Sequence, residues 1–237
     1  MSNFSKNFSK NLFLNLLGPQ AQTQLRVTEI FHSLQGESTR VGLPTVFIRL
    51  TGCPLRCQYC DTAYAFKGGT KLSIAEIMQI VSMYSTPYVC LTGGEPLAQP
   101  GCLDLLTLLA DLGRKISLET SGALSIQDVD PRVKIILDIK TPDSQESHRN
   151  DWKNLEYLKP SDEIKFVICS PKDYEFSKQW VLQQLDKTMK LPCEILFSPS
   201  YQQQDVTELA EWILQDQLPV RLQIQLHKAL WGNKTGV

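Results

Sequence analysis

The sequence predicts an α/β fold, an open and partial barrel of about six parallel strands with few helices. Three observations lead to it. From Leu25 onward, strand-like and helix-like segments alternate, an order that pairs strands in parallel through right-handed crossovers. Clear helices are fewer than strands, so a partial TIM-like barrel fits better than a closed eightfold one. Polar residues recur where strands end, at Thr92–Glu95, Glu119–Ser121, Asp138–Lys140, Ser198 and Gln225–His227. The C-terminal strand ends are where such folds collect their chemistry.

Each element has a local cause. Val27–Leu34 and Pro44–Leu50 are rich in β-branched and aromatic residues and read as strands. Ser73–Tyr84 reads as a helix: Ser73 caps it, Glu76 completes a capping box, and Ile74, Ile77, Met78 and Val81 form one apolar face. Tyr88–Thr92 is a short strand running into Gly93-Gly94-Glu95-Pro96, and Leu103–Leu112 is a helix closed by Gly113. Strands follow at Lys115–Glu119, Val133–Ile139 and Glu163–Cys169, then a helix at Tyr174–Leu185. Strand Glu194–Phe197, helix Val206–Gln215 and strand Val220–Leu226 close the pattern. Pro142–Pro160 is polar and reads as a surface excursion with a short helix near Asp151–Leu158.

The expected division is an N-terminal extension over 1–24 and one domain over 25–237. In the extension Phe4, Phe8, Leu12 and Leu16 recur at helical spacing. Its apolar stretch is broken by Asn15 and stopped by Gly18-Pro19, which argues against a signal peptide and for a disordered or dimer-packing segment.

Bulk properties narrow the function. The 237 residues are 42% hydrophobic and 21% charged, the balance of an ordinary globular chain. With 24 basic and 25 acidic side chains and no basic stripe, a nucleic-acid partner is not expected, and a small-molecule partner is. No apolar run reaches the length of a membrane span. Seven cysteines, three of them within eight residues, suit a reducing cytoplasmic compartment and metal ligation better than a secreted disulfide framework.

The decisive segment is Thr51-Gly52-Cys53-Pro54-Leu55-Arg56-Cys57-Gln58-Tyr59-Cys60-Asp61-Thr62. Regular structure would point the three thiols in diverging directions, and Gly52 and Pro54 supply an irregular backbone instead. Thiolates favour an iron–sulfur cluster, and three cysteines on a four-iron cluster leave one iron open for a chelating ligand. A structural zinc site is the alternative, but it wants a fourth Cys or His, and none stands close in sequence.

The CxxxCxΦC spacing, with Tyr59 as the aromatic, resembles the signature of radical S-adenosylmethionine enzymes. That resemblance implies a [4Fe–4S] cluster on Cys53, Cys57 and Cys60, with S-adenosylmethionine chelating the open iron and cleaved reductively to a 5′-deoxyadenosyl radical. Thr92-Gly93-Gly94-Glu95-Pro96 resembles the family's GGE motif, which implies that Gly94 and Glu95 meet the methionine end. A glycine pair allows close approach, and a carboxylate suits an ammonium.

Further segments resemble one family, the 7-carboxy-7-deazaguanine synthases. Ser33-Leu34-Gln35-Gly36-Glu37 resembles their SxQGEG segment, Phe47-Ile48-Arg49-Leu50 the lead into the cluster loop, Cys60-Asp61-Thr62 their CDT, and Leu226-His227-Lys228 their C-terminal HK. The resemblance implies ring contraction of 6-carboxy-5,6,7,8-tetrahydropterin to 7-carboxy-7-deazaguanine with loss of ammonia, a step toward queuosine and related deazapurines. It implies hydrogen abstraction from C6 of the pterin, return of the same hydrogen, and dependence on Mg²⁺.

Carried over residue by residue, it places Leu34, Gln35, Gly36 and Glu37 against the pterin, Arg49 on the substrate carboxylate, and Thr92 and His227 on the substrate. Tyr59, Cys60, Asp61, Gly94, Glu95, Lys140 and Ser198 fall to S-adenosylmethionine, and Thr62 to Mg²⁺. Asp138-Ile139-Lys140 departs from the family's Ser-Pro-Lys in its first two residues, and Ser198-Pro199 stands for a Gln-Pro. The chain runs on past the HK segment to Val237, and this tail is expected, with the extension, at a dimer interface. A flavodoxin or ferredoxin reductant and a homodimer are implied partners. Cys90, Cys102, Cys169 and Cys193 read as buried hydrophobes. The rivals are a glycyl-radical activating enzyme, which shares the cysteine loop, and a zinc-stabilised binding module.

Overall fold

The computed structural model describes residues 18–189 and 191–237. Among them nine strands form one sheet: β1 (Gln24–Leu34), β2 (Pro44–Leu50), β3 (Thr70–Ser73), β4 (Tyr88–Gly93), β5 (Lys115–Thr120), β6 (Lys134–Ile139), β7 (Glu163–Ile168), β8 (Glu194–Pro199) and β9 (Arg221–Leu222). The order is β3-β1-β2-β4-β5-β6-β7-β8-β9. β1 pairs antiparallel with β2 and β3, and every pairing from β2 to β9 is parallel. Beyond β2 six further strands extend the sheet in parallel, and the sheet stays open, as the alternation predicts.

The helices are α1 (Ile74–Val81), α2 (Gly101–Asp111), α3 (Pro171–Thr188), α4 (Val206–Gln215) and α5 (Leu226–Trp231). None is long and apolar enough to cross a membrane. α1 carries the expected capping box: the Ser73 hydroxyl accepts from the Glu76 amide, and the Glu76 carboxylate accepts from the Ser73 amide. Its apolar face of Ile74, Ile77, Met78 and Val81 is buried. α3 is longer than its apolar pattern suggests, because Ser170 caps it and Pro171 starts it well before Tyr174.

Strand alternation sorts the sheet into two faces. Val46, Ile48 and Leu50 of β2, Ile135, Leu137 and Ile139 of β6, and Ile164, Phe166 and Ile168 of β7 belong to the core cluster, which also takes in the buried faces of the helices. The alternate residues, Arg49, Asp138 and Lys165 among them, line the concave side.

Three expectations need correction. The Pro142–Pro160 segment is packed rather than a free surface excursion. Asn154 is buried and ties Ile126, Gly122 and Leu124, while Asn150 binds the Lys140 backbone in both directions. The helix there is a 3-10 segment, Trp152–Tyr157. The strand expected over Val220–Leu226 keeps only Arg221–Leu222, because the chain leaves the sheet and Leu226 donates its amide to the Gly36 carbonyl. Cys169 is only half-buried, unlike Cys90, Cys102 and Cys193.

Ahead of Leu25, Ala21 is buried and β1 already starts at Gln24. The helical spacing of Phe4, Phe8, Leu12 and Leu16 lies outside the described residues.

Candidate active site

A cavity of about 420 Å³ opens on the concave side of the sheet. Segments far apart in sequence build it. The cluster loop leaves β2 at Thr51, whose amide donates to the Arg26 carbonyl and whose carbonyl accepts from Gln99. Gly52 then takes φ 98°, a left-handed turn that favours glycine. The Gly93-Gly94-Glu95 turn docks on it: Gly94 donates to the Leu50 carbonyl and Glu95 to the Gly52 carbonyl. A Cβ on Gly94 would come within 2.2 Å of the Gly52 carbonyl and 2.8 Å of the Cys53 Cβ, so only glycine lets the two loops touch. On the other side Gln58 donates its amide to the Ser144 carbonyl, and the Glu146 carboxylate accepts from the Arg56 amide. The segment after β6 therefore braces the loop.

Cys53, Cys57 and Cys60 all face this cavity as free, half-buried thiols. Burial raises the pKa of each, that of Cys57 to about 11. Among the described residues no three His, Cys, Asp or Glu side chains group as a single ion would need. Three soft donors on one irregular loop, without a fourth protein ligand, fit a [4Fe–4S] cluster with one open iron. Gly93 and Gly94 line the cavity beside Cys53.

A ladder of alternating charge runs through the cavity to the cysteine loop. The Gln225 amide donates to Glu37, and Glu37 pairs with Lys165 at 2.7 Å. Lys165 also meets Asp138 at 3.3 Å, and Asp138 meets Lys140 at 3.0 Å. Lys140 sits over the Tyr59 ring, whose hydroxyl is buried without a hydrogen-bond partner. Burial alone would raise the Glu37 pKa, but Lys165, Gln225 and His227 reverse it and hold the carboxyl at about 2. Burial would likewise lower Lys140 and Lys165, and their anionic neighbours raise both instead.

The other wall is aromatic and cationic. Phe31 and Phe47 stack with centroids 4.9 Å apart, and the Arg49 guanidinium lies over Phe31. Arg49 Nε donates to Glu29 at 2.7 Å, and the same carboxylate oxygen accepts from the Tyr64 hydroxyl. At the centre Glu119 accepts from Thr92 at 2.9 Å and from Gln35 at 3.4 Å. Gly36 lies under His227, and a Cβ there would come within 2.1 Å of the imidazole Nδ1.

Leu34, Gln35, Gly36, Glu37, Arg49, Tyr59, Asp61, Thr62, Thr92, Gly94, Lys140, Ser198 and His227 thus line one cavity together with the three cysteines. Glu95 does not line it. Its carboxylate is fully buried and accepts from the Thr120 hydroxyl, the Ser121 amide and hydroxyl, and the Leu97 amide. Thr62 donates its hydroxyl to Asp61 at 2.8 Å. Asp138, whose contacts the sequence left in doubt, is a central rung of the ladder. Lys165, Phe31 and Phe47 were not singled out as site residues, although a lysine between Ile164 and Phe166 is itself a signal of an inward-facing position. Glu119 and Gln225 were visible only as polar residues at strand ends. The tail brings Asn233 and Val237 to the cavity.

This architecture and its cysteine loop are those of a radical S-adenosylmethionine enzyme, and the Radical SAM superfamily model matches residues 47–149. The chain is 44% identical over 216 residues to a 7-carboxy-7-deazaguanine synthase of Chlorobaculum tepidum, covering 89% of this chain and 96% of the relative. It is 40% identical to one of Koribacter versatilis, with 89% and 99% covered. The crystal structure of QueE from Escherichia coli superposes with a TM-score of 0.72 at 25% identity, over 87% of this chain and 96% of that one. The chain belongs to the 7-carboxy-7-deazaguanine synthase family.

Proposed function

We propose that this enzyme converts 6-carboxy-5,6,7,8-tetrahydropterin to 7-carboxy-7-deazaguanine and ammonia. The single observation that carries the reading is the convergence of the Gln35-Gly36-Glu37 floor, Arg49 and the cysteine loop on one cavity. Relatives bearing that activity in their names support it. When bound on Cys53, Cys57 and Cys60, the cluster with S-adenosylmethionine supplies a primary carbon radical that abstracts hydrogen.

The chain's own residues bind and orient. A bicycle with one flat pyrimidinone ring suits the space between the Phe31–Phe47 stack and the polar ladder, with its carboxylate on Arg49. Gln35, Thr92 and His227 offer hydrogen bonds to its edges, and Leu34, Gly36 and Glu37 shape the floor. Gly94 receives the methionine end, while Glu95 fixes Ser121 and the glycine turn from behind. Tyr59, Cys60, Asp61, Lys140 and Ser198 are assigned to the adenosyl side. Thr62 is assigned to Mg²⁺, for which a hydroxyl oxygen is a fitting hard ligand. A flavodoxin- or ferredoxin-type reductant, a homodimer, a cytoplasmic location and a single catalytic domain over 25–237 belong to the same proposal.

The test is turnover by anaerobically reconstituted protein with the tetrahydropterin, S-adenosylmethionine, reductant and Mg²⁺. Product is expected with S-adenosylmethionine regenerated and with rates that rise with Mg²⁺. Cluster-loaded enzyme that cleaves S-adenosylmethionine but forms no 7-carboxy-7-deazaguanine would overturn the proposal.

A further inference from the structure

The floor of the cavity is held by a second set of charges that does not touch it. Glu37 and Thr39, two residues apart, meet Lys165 and Glu163, two residues apart on β7. The Thr39 amide donates to Glu163 Oε1 at 3.0 Å, and its hydroxyl donates to the same oxygen. Lys134, at the start of β6, closes the triangle: its ammonium lies 2.7 Å from Glu163 Oε1 and donates to the Thr39 hydroxyl at 2.9 Å. Glu163 is fully buried, and its Oε2 has no hydrogen-bond partner. Such a buried carboxylate adds little net stability compared with an apolar residue, which argues for a role in geometry. Between the two anchors Ser38 adopts φ 66°, a conformation that costs a non-glycine residue and persists only when its surroundings hold it.

We propose that Glu163, Thr39 and Lys134 form a clasp of positioning residues that sets the Gln35-Gly36-Glu37 floor for the pterin. The inference rests on the substrate reading given above. The clasp acts through the loop, so its loss should weaken pterin binding and leave the radical-generating side intact.

The test uses the cluster-loaded holoenzyme carrying Glu163→Gln or Thr39→Val, with Thr39→Ser as the conservative variant. Equilibrium binding of 6-carboxy-5,6,7,8-tetrahydropterin to the unreduced enzyme and KM are expected to weaken about ten- to a hundredfold in the first two, the scale of a misplaced binding group. Thr39→Ser, which keeps the hydroxyl, should bind as the parent does. Substrate-independent cleavage of S-adenosylmethionine should stay within about twofold in all three. Folded Glu163→Gln and Thr39→Val that bind the pterin normally, while Gln35→Ala does not, would overturn the clasp alone. Normal binding by Gln35→Ala as well would overturn the substrate reading of the floor.

Discussion

Gly36 and His227, almost two hundred positions apart, touch so closely that a single methyl group on Gly36 would fall 2.1 Å from the imidazole Nδ1. The Leu226 amide donates to the Gly36 carbonyl at 2.9 Å, and Gln225 donates to Glu37 at 2.9 Å, so the last helix is moored on the floor loop. Gly36→Ala should push α5 off this mooring. Expected are a loss of about 1–3 kcal/mol in stability, typical of overpacking, and at least a tenfold fall in kcat/KM. Gly36→Ala combined with His227→Ala removes the ring and leaves only the position-227 Cβ, 3.1 Å from the methyl, so it should recover most of the melting temperature without recovering activity. Melting curves and turnover on the two variants check both parts.

Arg49 is held by one edge. Its Nε is engaged by Glu29, and among the described residues its terminal nitrogens make no side-chain hydrogen bond, which leaves a fork for a carboxylate. Burial would depress its pKa, but Tyr64 and Glu29 raise it, so the charge is secure. Arg49→Lys keeps the charge and loses the fork. Its KM for the carboxylated pterin should rise about tenfold to a hundredfold. Glu29→Gln, which only loosens the guanidinium, should raise KM less. Steady-state kinetics at saturating S-adenosylmethionine give the ordering, and an Arg49→Lys enzyme with unchanged KM would remove Arg49 from the site.

Glu95 tests a different link. A carboxylate buried among the Thr120 hydroxyl, the Ser121 amide and hydroxyl, and the Leu97 amide leaves four donors stranded if it is removed. Glu95→Ala should cost about 3 kcal/mol or more, since each buried unsatisfied group costs about 1–3 kcal/mol. Glu95→Gln should cost less, because one carbonyl oxygen remains. If Glu95 acts from behind the glycine turn, Glu95→Gln loses stability before it loses affinity for S-adenosylmethionine. Denaturation midpoints set beside binding isotherms decide this.

Much of this site was legible because barrel strands have period two. Once Ile135, Leu137 and Ile139 face the core, Asp138 and Lys140 must face the cavity, and Ile164, Phe166 and Ile168 place Lys165 there by the same rule. The cysteine loop and the glycine turn were visible for the same local reason, since their chemistry is written in adjacent residues. What sequence could not show is registration across strands. Asp138 and Lys165 are neighbours only because β6 and β7 pair in that register, and the departure at Asp138 is coherent only beside that lysine. The exit of the chain from the sheet at Gln223 was equally hidden: the β-like residues there are outbid by bonds to Gly36 and Glu37, formed across the whole chain.

The Glu37 carboxyl makes a pH prediction with a definite sign. Its pKa falls from an ordinary 4.5 to about 2 in the folded protein, against burial and by virtue of Lys165, Gln225 and His227. A depressed folded value means that the group stabilises the fold fully above its unfolded pKa and loses that contribution as pH falls through the folded one. The window is therefore about pH 4.5 down to about 2, and the contribution is fully present at neutral pH. Glu37→Gln should lower the melting temperature at pH 7 and flatten the acid limb of the stability curve. Thermal melts of the parent and the variant from neutral to strongly acidic pH should converge as pH drops below the usual carboxylate range. A constant gap across that range would mean that Glu37 contributes through shape alone and not through its charge on Lys165.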